Sequence, residues 1–186
     1  GGVMGNMNSP AAAIFWLWHA FVDDIYRKHE CECQNDTDKD LYIPDSNEDI
    51  GNEPNLESGP HFWESPEIWV RHTNDGYAVR DNPLRHQNPE AGQTNYIYVR
   101  IVNIGCEPTQ VGDLELRVYY SRASTGGHIW PTNWDNDLPT GDEITTTPLA
   151  IPALNPGEEH IAEVAWSPPN PSIWGEMKSH ICLLAR

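Results

Sequence analysis

The sequence predicts a mainly β fold in which one amphipathic helix and an acidic extended linker precede a β-sandwich. Of the 186 residues, 14 are glycine and 16 are proline, which is typical of a domain with many turns. Apolar residues with a helical period occur near the amino terminus, whereas the rest of the chain has short apolar segments between turn-forming residues. We therefore divide the chain into a helical segment (1–30), a linker (31–60) and a β-sandwich (61–186).

The helical segment carries the most apolar stretch of the chain. Ser9 can cap the helix, Pro10 suits its first turn, and the three alanines that follow favour helix. Each large apolar side chain left in water would forgo about 1.5 to 3 kcal/mol relative to burial, so we expect a partner surface to cover this helix. The predicted assembly interface is Ile14, Phe15, Trp16, Leu17, Trp18, Phe21, Val22 and Ile25, with the linker residues Leu41, Tyr42 and Ile43.

The linker is rich in Asp, Asn, Glu, Pro and Gly, and Leu41-Tyr42-Ile43 is its one apolar island. We predict that this island is an extended segment able to add to the edge of a sheet. The acidic side chains that follow it, among them Asp45 and Asp49, are candidate calcium ligands, although their spacing is not that of an EF-hand. The alternative is a solvated linker.

Five strands are predicted in the third segment. Residues 95–103 have apolar side chains on both faces, as a central strand should, and residues 114–120 alternate between apolar and charged side chains. Further strands are predicted at 67–71, 160–168 and 179–186. This spacing predicts an immunoglobulin-like β-sandwich or a close relative, with residues 125–156 as loops over one end or edge.

The charge of the chain excludes several classes of partner. With 28 acidic and 11 basic residues, the formal net charge is -17. Because such a field repels phosphate backbones and anionic lipids, we expect neither nucleic-acid binding nor peripheral membrane binding. Cations, neutral glycans and other proteins are the remaining partners. The apolar run from Ala11 to Val22 is also shorter than the roughly 20 residues that span a bilayer.

Four cysteines and a glycosylation sequon at Asn35 predict an extracellular or cell-surface protein. Cys106 follows a predicted strand and Cys182 lies in the last one, so we expect these two to form a disulfide that pins the terminal strand. Cys31 and Cys33 could bridge each other, reach another strand or link two chains. Their Cys-x-Cys spacing differs from that of a Cys-x-x-Cys redox or zinc site.

The segment GGVMGNMNSPAAAIFWLWHAFVDDIY (1–26) resembles the carboxy-terminal copper-B region of tyrosinases and related type-3 copper oxidases. The resemblance implies that His19 occupies the position of a copper-ligating histidine, but Trp18 stands where the family has another histidine. A binuclear copper centre uses three imidazoles per metal, and the helix offers His19, with His29 near its end and no His-x-x-x-His pair. We therefore interpret His19 as a vestigial ligand and predict no copper cofactor.

The downstream runs SPEIWVR, HQNPEAGQTNYIYVRIVNIGC, GDEI and ICLLAR are similar to adhesion-type immunoglobulin-like modules of secreted bacterial enzymes and surface proteins. This similarity implies a fold and an extracellular location rather than an activity.

The leading functional hypothesis is an extracellular structural subunit that self-assembles into a fibril or pilus-like polymer. It would dock its apolar segment, or the adjoining strand, on a neighbouring copy. We expect no enzyme, because the sequence has no nucleophile elbow, phosphate loop or zinc-protease motif. The alternatives are a carboxy-terminal fragment of a tyrosinase-like copper oxidase and a glycan-binding module. The module would use Trp69, Trp130, Trp134 and Trp174 as a platform for sugar rings, unless these residues fill the core.

Overall fold

The computed structural model of the protein describes residues 41–44, 65–112, 114–123, 130–135, 141–175 and 180–186. Several predictions fall outside these ranges, namely the helix with its eight interface residues (Ile14 to Ile25), His19, Cys31, Cys33, Asn35, Asp45 and Asp49.

The described residues form a mainly β fold with antiparallel sheets, as predicted. The one short helix among them is a 3₁₀ turn at Pro171–Trp174. The strands are β1 (Leu41–Tyr42), β2 (Ile68–Arg71), β3 (Asn95–Asn103), β4 (Glu115–Leu116), β5 (Val118–Arg122), β6 (Gly141–Glu143), β7 (Leu149–Ala150), β8 (Glu159–Trp166) and β9 (Ile181–Ala185).

The first sheet is organised around β3, which confirms that residues 95–103 form a central strand. Strand β8 pairs with β3 from Asn95 to Val102. Along the other edge of β3, two strands follow one another: β2 pairs with Tyr96 to Val99, and β1 pairs with Val102 and Asn103. Strands β1 and β2 therefore occupy successive stretches of one edge.

The remaining strands form two smaller sheets. Strand β4 pairs with β7, and β5 lies between β6 and β9. Two backbone hydrogen bonds between Arg117 and Arg186, of 2.7 and 2.9 Å, extend the pairing of β5 with β9 by one residue. Strands β6 and β7 correct the prediction that residues 125–156 are loops throughout. Both strands are too short to show an apolar alternation of their own.

One hydrophobic core receives side chains from the first sheet and from the two smaller ones. The opposite face of the first sheet is buried as well, because Trp69 and Tyr98 stack at 5.5 Å and pack with Ile161. Burial on both faces explains the apolar residues on both faces of β3. The buried members of the main cluster are Val70, Ile97, Val99, Ile101, Leu116, Val118, Tyr120, Ile151, Leu154, Ala162, Val164 and Trp166.

The segment 72–94 covers the outer face of the first sheet. The Tyr77 hydroxyl donates a 2.6 Å hydrogen bond to the carbonyl of Ile161, and the Tyr98 hydroxyl donates one of 3.0 Å to Asn74. Gly76 lies so close to Tyr98 that a Cβ atom would overlap the ring. Burial raises the pKa of Tyr98 to about 12, so this hydroxyl stays protonated at ordinary pH.

Because His160 on β8 is half-buried, we expect the protein to lose stability in acid. Burial lowers the pKa of its imidazole below the ordinary 6.5, so the folded state binds a proton less readily than the unfolded state. Stability is therefore fully present above pH 6.5 and is lost as the pH falls towards the lowered value. We expect urea denaturation to give a smaller free energy of unfolding at pH 5.5 than at pH 7.5. The His160→Gln variant should show a smaller difference; an equal difference in both proteins would contradict the assignment.

Candidate functional site

Leu41 and Tyr42, which the sequence placed in an assembly interface, form β1 in the structure. They pair with Asn103 and Val102 of the same chain, and the side chains of Leu41 and Ile43 pack against the main core. The predicted island is thus an added strand that occupies an edge in its own subunit.

The two ends of the stretch between β1 and β2 lie close together. The Ser65 hydroxyl donates a hydrogen bond to the carbonyl of Pro44, and the Arg100 amide donates one of 2.9 Å to the carbonyl of Glu67. Residues 45–64 connect these two points, and they include six acidic residues and no lysine or arginine. Two residue pairs thus hold β1 on β3, and a long acidic connection follows β1.

A second feature is an open cavity of about 400 Å³ beside β9. It is lined by Trp130, Trp134, Leu184 and Arg186. Trp134 is buried, whereas Trp130 is 38% exposed. The cavity is therefore lined by one buried indole, that of Trp134, and by one solvent-exposed indole, that of Trp130.

Local backbone contacts hold the aromatic side of this cavity in place. The amides of Trp134 and Asp135 both donate to the carbonyl of Pro131, at 2.9 and 2.8 Å. Buried Gly141 at the start of β6 lies against this turn, and a Cβ atom there would overlap the backbone oxygens of Asn133 and Tyr120. Only glycine allows the turn to approach β5 and β6 this closely.

The cavity carries one positive charge, on Arg186. Its guanidinium carbon lies 4.1 Å from the centroid of the Trp130 ring, which is cation–π geometry. Trp130 also meets Tyr119 edge-on, with centroids 4.9 Å apart. Neighbouring Arg117 is paired with Glu143 at 2.8 and 2.9 Å, whereas within the described ranges no carboxylate forms an ion pair with Arg186.

The other two tryptophans of the predicted sugar platform lie elsewhere. Trp69 is 1% exposed and lies between Tyr98 and the guanidinium of Arg85, 4.7 Å from its centroid, so it is a core residue. Trp174 packs against the main core and has Arg122 at 5.7 Å. The sequence suggested Trp130 and Trp134, but it gave no signal for Leu184 and Arg186, which β9 brings to the cavity.

The predicted disulfide between Cys106 and Cys182 is wrong, because Cys182 is a thiol in the structure. Cys182 lies on β9, which pairs with β5, whereas Cys106 follows β3 of the other sheet. Burial raises the pKa of the Cys182 thiol, which keeps it protonated.

Two further searches concern the described residues alone. They contain no group of three or more His, Cys, Asp or Glu side chains arranged to hold a metal ion. No helix in this part of the chain is long and apolar enough to cross a membrane.

Comparison of the chain with protein-family models, with curated proteins and with solved structures gave no match.

Proposed function

We propose that this protein is an extracellular structural subunit with an immunoglobulin-like sandwich that assembles with copies of itself by exchanging β1. The sandwich is supported by the shared core, to which the first sheet contributes Val99 and Val164, and the opposite strands contribute Leu116 and Val118. Two sheets that bury their inner faces against each other are the architecture of this class.

The observation that carries the assembly is the way β1 is held. The strand makes two residue pairs with β3, and the side chains of Leu41 and of Ile43, which follows the strand, contact the core. Strand β1 occupies the stretch of the β3 edge that follows the stretch paired with β2. The β1 segment of a second copy would fit the same place. Strand addition of this kind takes its affinity from main-chain hydrogen bonds and from alternate side chains in pockets.

The connection to β2 makes exchange between subunits favourable. Holding β1 on its own subunit closes a loop of 20 residues, 45–64, and the length-dependent part of that closure costs about 2.7 kcal/mol. The six acidic side chains of the segment repel each other when it is closed, which adds to this cost. When a neighbouring copy donates β1, the strand makes the same contacts with β3. The main cost of exchange is therefore the entropy lost when two subunits associate.

The apolar segment at residues 14–25 supplies the additional driving force. The antiparallel pairing of Leu41 with Asn103 places the start of β1 at the end of β3, which Ile104 follows. Ile104 is 40% exposed at this end of the domain, and Val111, further along the same connection between β3 and β4, is 76% exposed. Burial of aromatic side chains on these residues of a neighbour would contribute roughly 25 cal/mol per Å² of apolar area.

The contact is head-to-tail, because each subunit donates its own segment to one neighbour and accepts the segment of another. Such a contact does not close unless the rotation forms a ring, so it extends into a fibre. The proposal also includes secretion of the protein and glycosylation at Asn35.

Sedimentation velocity and negative-stain microscopy over a range of concentrations test the proposal. We expect the full chain to form oligomers or fibres, and we expect a chain lacking residues 1–30, which keeps β1 but loses the apolar segment, to assemble only at higher concentrations. Monomers in both samples would end the proposal. Val111→Ser should weaken assembly, whereas the matched variant Leu84→Ser should assemble normally, since Leu84 is 83% exposed on the segment 72–94.

A further inference from the structure

We propose that the cavity lined by Trp130, Trp134, Leu184 and Arg186 is a binding site for one ring of a neutral saccharide. The site is independent of the assembly proposed above, because its residues belong to the turn 130–135 and to the carboxy-terminal strand. The evidence is the chemistry of the lining, its charge and its size.

The apolar part of the lining suits the C–H face of a pyranose ring. The Trp130 indole is 38% exposed and has the Arg186 guanidinium over one face, and buried Trp134 and half-buried Leu184 line the cavity beside it. A flat aromatic surface with a polar rim is where a ring with one apolar face and hydroxyl groups at its edge packs best.

The polar part of the lining donates hydrogen bonds. Arg186 has five N–H donors, and no carboxylate among the described residues forms an ion pair with it. Its backbone hydrogen bonds to Arg117 and its contact with Trp130 hold it in position. Sugar hydroxyls can accept hydrogen bonds from such a guanidinium.

Charge and size favour a small neutral ligand over the other classes. A cation would meet the positive charge of Arg186, and a polyanion would meet the field of a chain with net charge -17. A cavity of about 400 Å³ lies within the range of roughly 300 to 1,000 Å³ that is usual for small-molecule sites. A neutral ligand with an apolar face and hydrogen-bond acceptors satisfies all these limits.

The site is formed before the ligand arrives. Gly141 permits the close approach of the turn, and the Pro131 carbonyl fixes Trp134 and Asp135. The ligand therefore does not have to order the turn, which lowers the cost of binding.

Calorimetric titration and tryptophan fluorescence of the full chain test this site with defined probes. The neutral probes are cellohexaose, xylohexaose and chitotetraose; oligogalacturonate is the acidic probe, and indole is the aromatic one. We expect saturable binding of at least one neutral oligosaccharide, with at least about a tenfold loss of affinity in Trp130→Ala. Binding of oligogalacturonate or indole alone, or of no probe, would overturn the proposal.

Two further variants separate the site from a general effect on folding. Trp174→Ala is the matched control, because Trp174 also contacts an arginine but lies outside the cavity. It should bind as the wild type does, and an equal loss in both tryptophan variants would contradict the site. Arg186→Gln leaves both indoles in place and should weaken binding several-fold, which keeps the proposal testable if Trp130→Ala unfolds.

Discussion

Replacing Trp69 by alanine is expected to lower the free energy of unfolding by about 3 to 5 kcal/mol. The side chain is 1% exposed, its ring stacks on Tyr98 at 5.5 Å, and the guanidinium of Arg85 lies 4.7 Å from its centroid. The variant removes the largest fully buried side chain among the described residues. Urea denaturation measures the change.

The control for this prediction is Trp69→Phe, which retains an aromatic ring against Tyr98. The indole N–H has no hydrogen-bond partner within the described part of the chain, so phenylalanine forfeits packing volume only. We expect it to cost less than half as much as alanine. A loss below about 1 kcal/mol in Trp69→Ala would mean that the segment 72–94 does not pack on the sheet.

Replacing Asn103 by alanine is expected to cost about 3 to 5 kcal/mol. The fully buried side chain donates hydrogen bonds to the carbonyls of Glu107 and Leu154, at 3.0 and 2.9 Å, and accepts one of 3.0 Å from the Gly105 amide. Alanine removes the side-chain partner of the Glu107 carbonyl and the Gly105 amide, whereas the Leu154 carbonyl still accepts a 2.9 Å hydrogen bond from the Thr109 amide. Each group left unpaired costs about 1 to 3 kcal/mol where it stays buried.

A matched asparagine provides the comparison. Asn155 is exposed and its side chain donates to Glu158 at 3.0 Å, so Asn155→Ala should change stability by less than about 1 kcal/mol. Since Asn103 pairs with Leu41, Asn103→Ala should also speed proteolysis near β1 in the folded protein. Equal stability losses in the two variants would contradict the role of Asn103.

The predictable strands are those whose own sequence carries an apolar pattern. Residues 95–103 were recognisable because both faces of β3 are buried, the inner one at Val99 and the outer one at Tyr98. Strands β6 and β7 carry no such pattern. Their strand geometry comes from pairing with β5 and β4, and Gly141 of β6 is set by its contact with the turn 130–135.

The candidate sites, like the short strands, include residues that only the tertiary structure brings together. The indoles of Trp130 and Trp134 were visible in the sequence, but Arg186 joins them only because β9 pairs with β5. The same pairing places Cys182 in a different sheet from β3, the strand that precedes Cys106, and spacing along the chain could not reveal this. Trp69 was not separable from exposed Trp130, because its burial depends on a segment that covers the outer face of the sheet.

The most direct test of assembly is an inter-subunit cross-link at the β1 edge. Tyr42 pairs with Val102, so a chain carrying Tyr42→Cys is mixed with a chain carrying Val102→Cys, concentrated and oxidised. Strand exchange predicts a covalent heterodimer whose linked peptide, identified by mass spectrometry, joins the two introduced cysteines. If that peptide forms only in a chain carrying both substitutions, and the mixture gives none, β1 stays on its own subunit and the account is wrong.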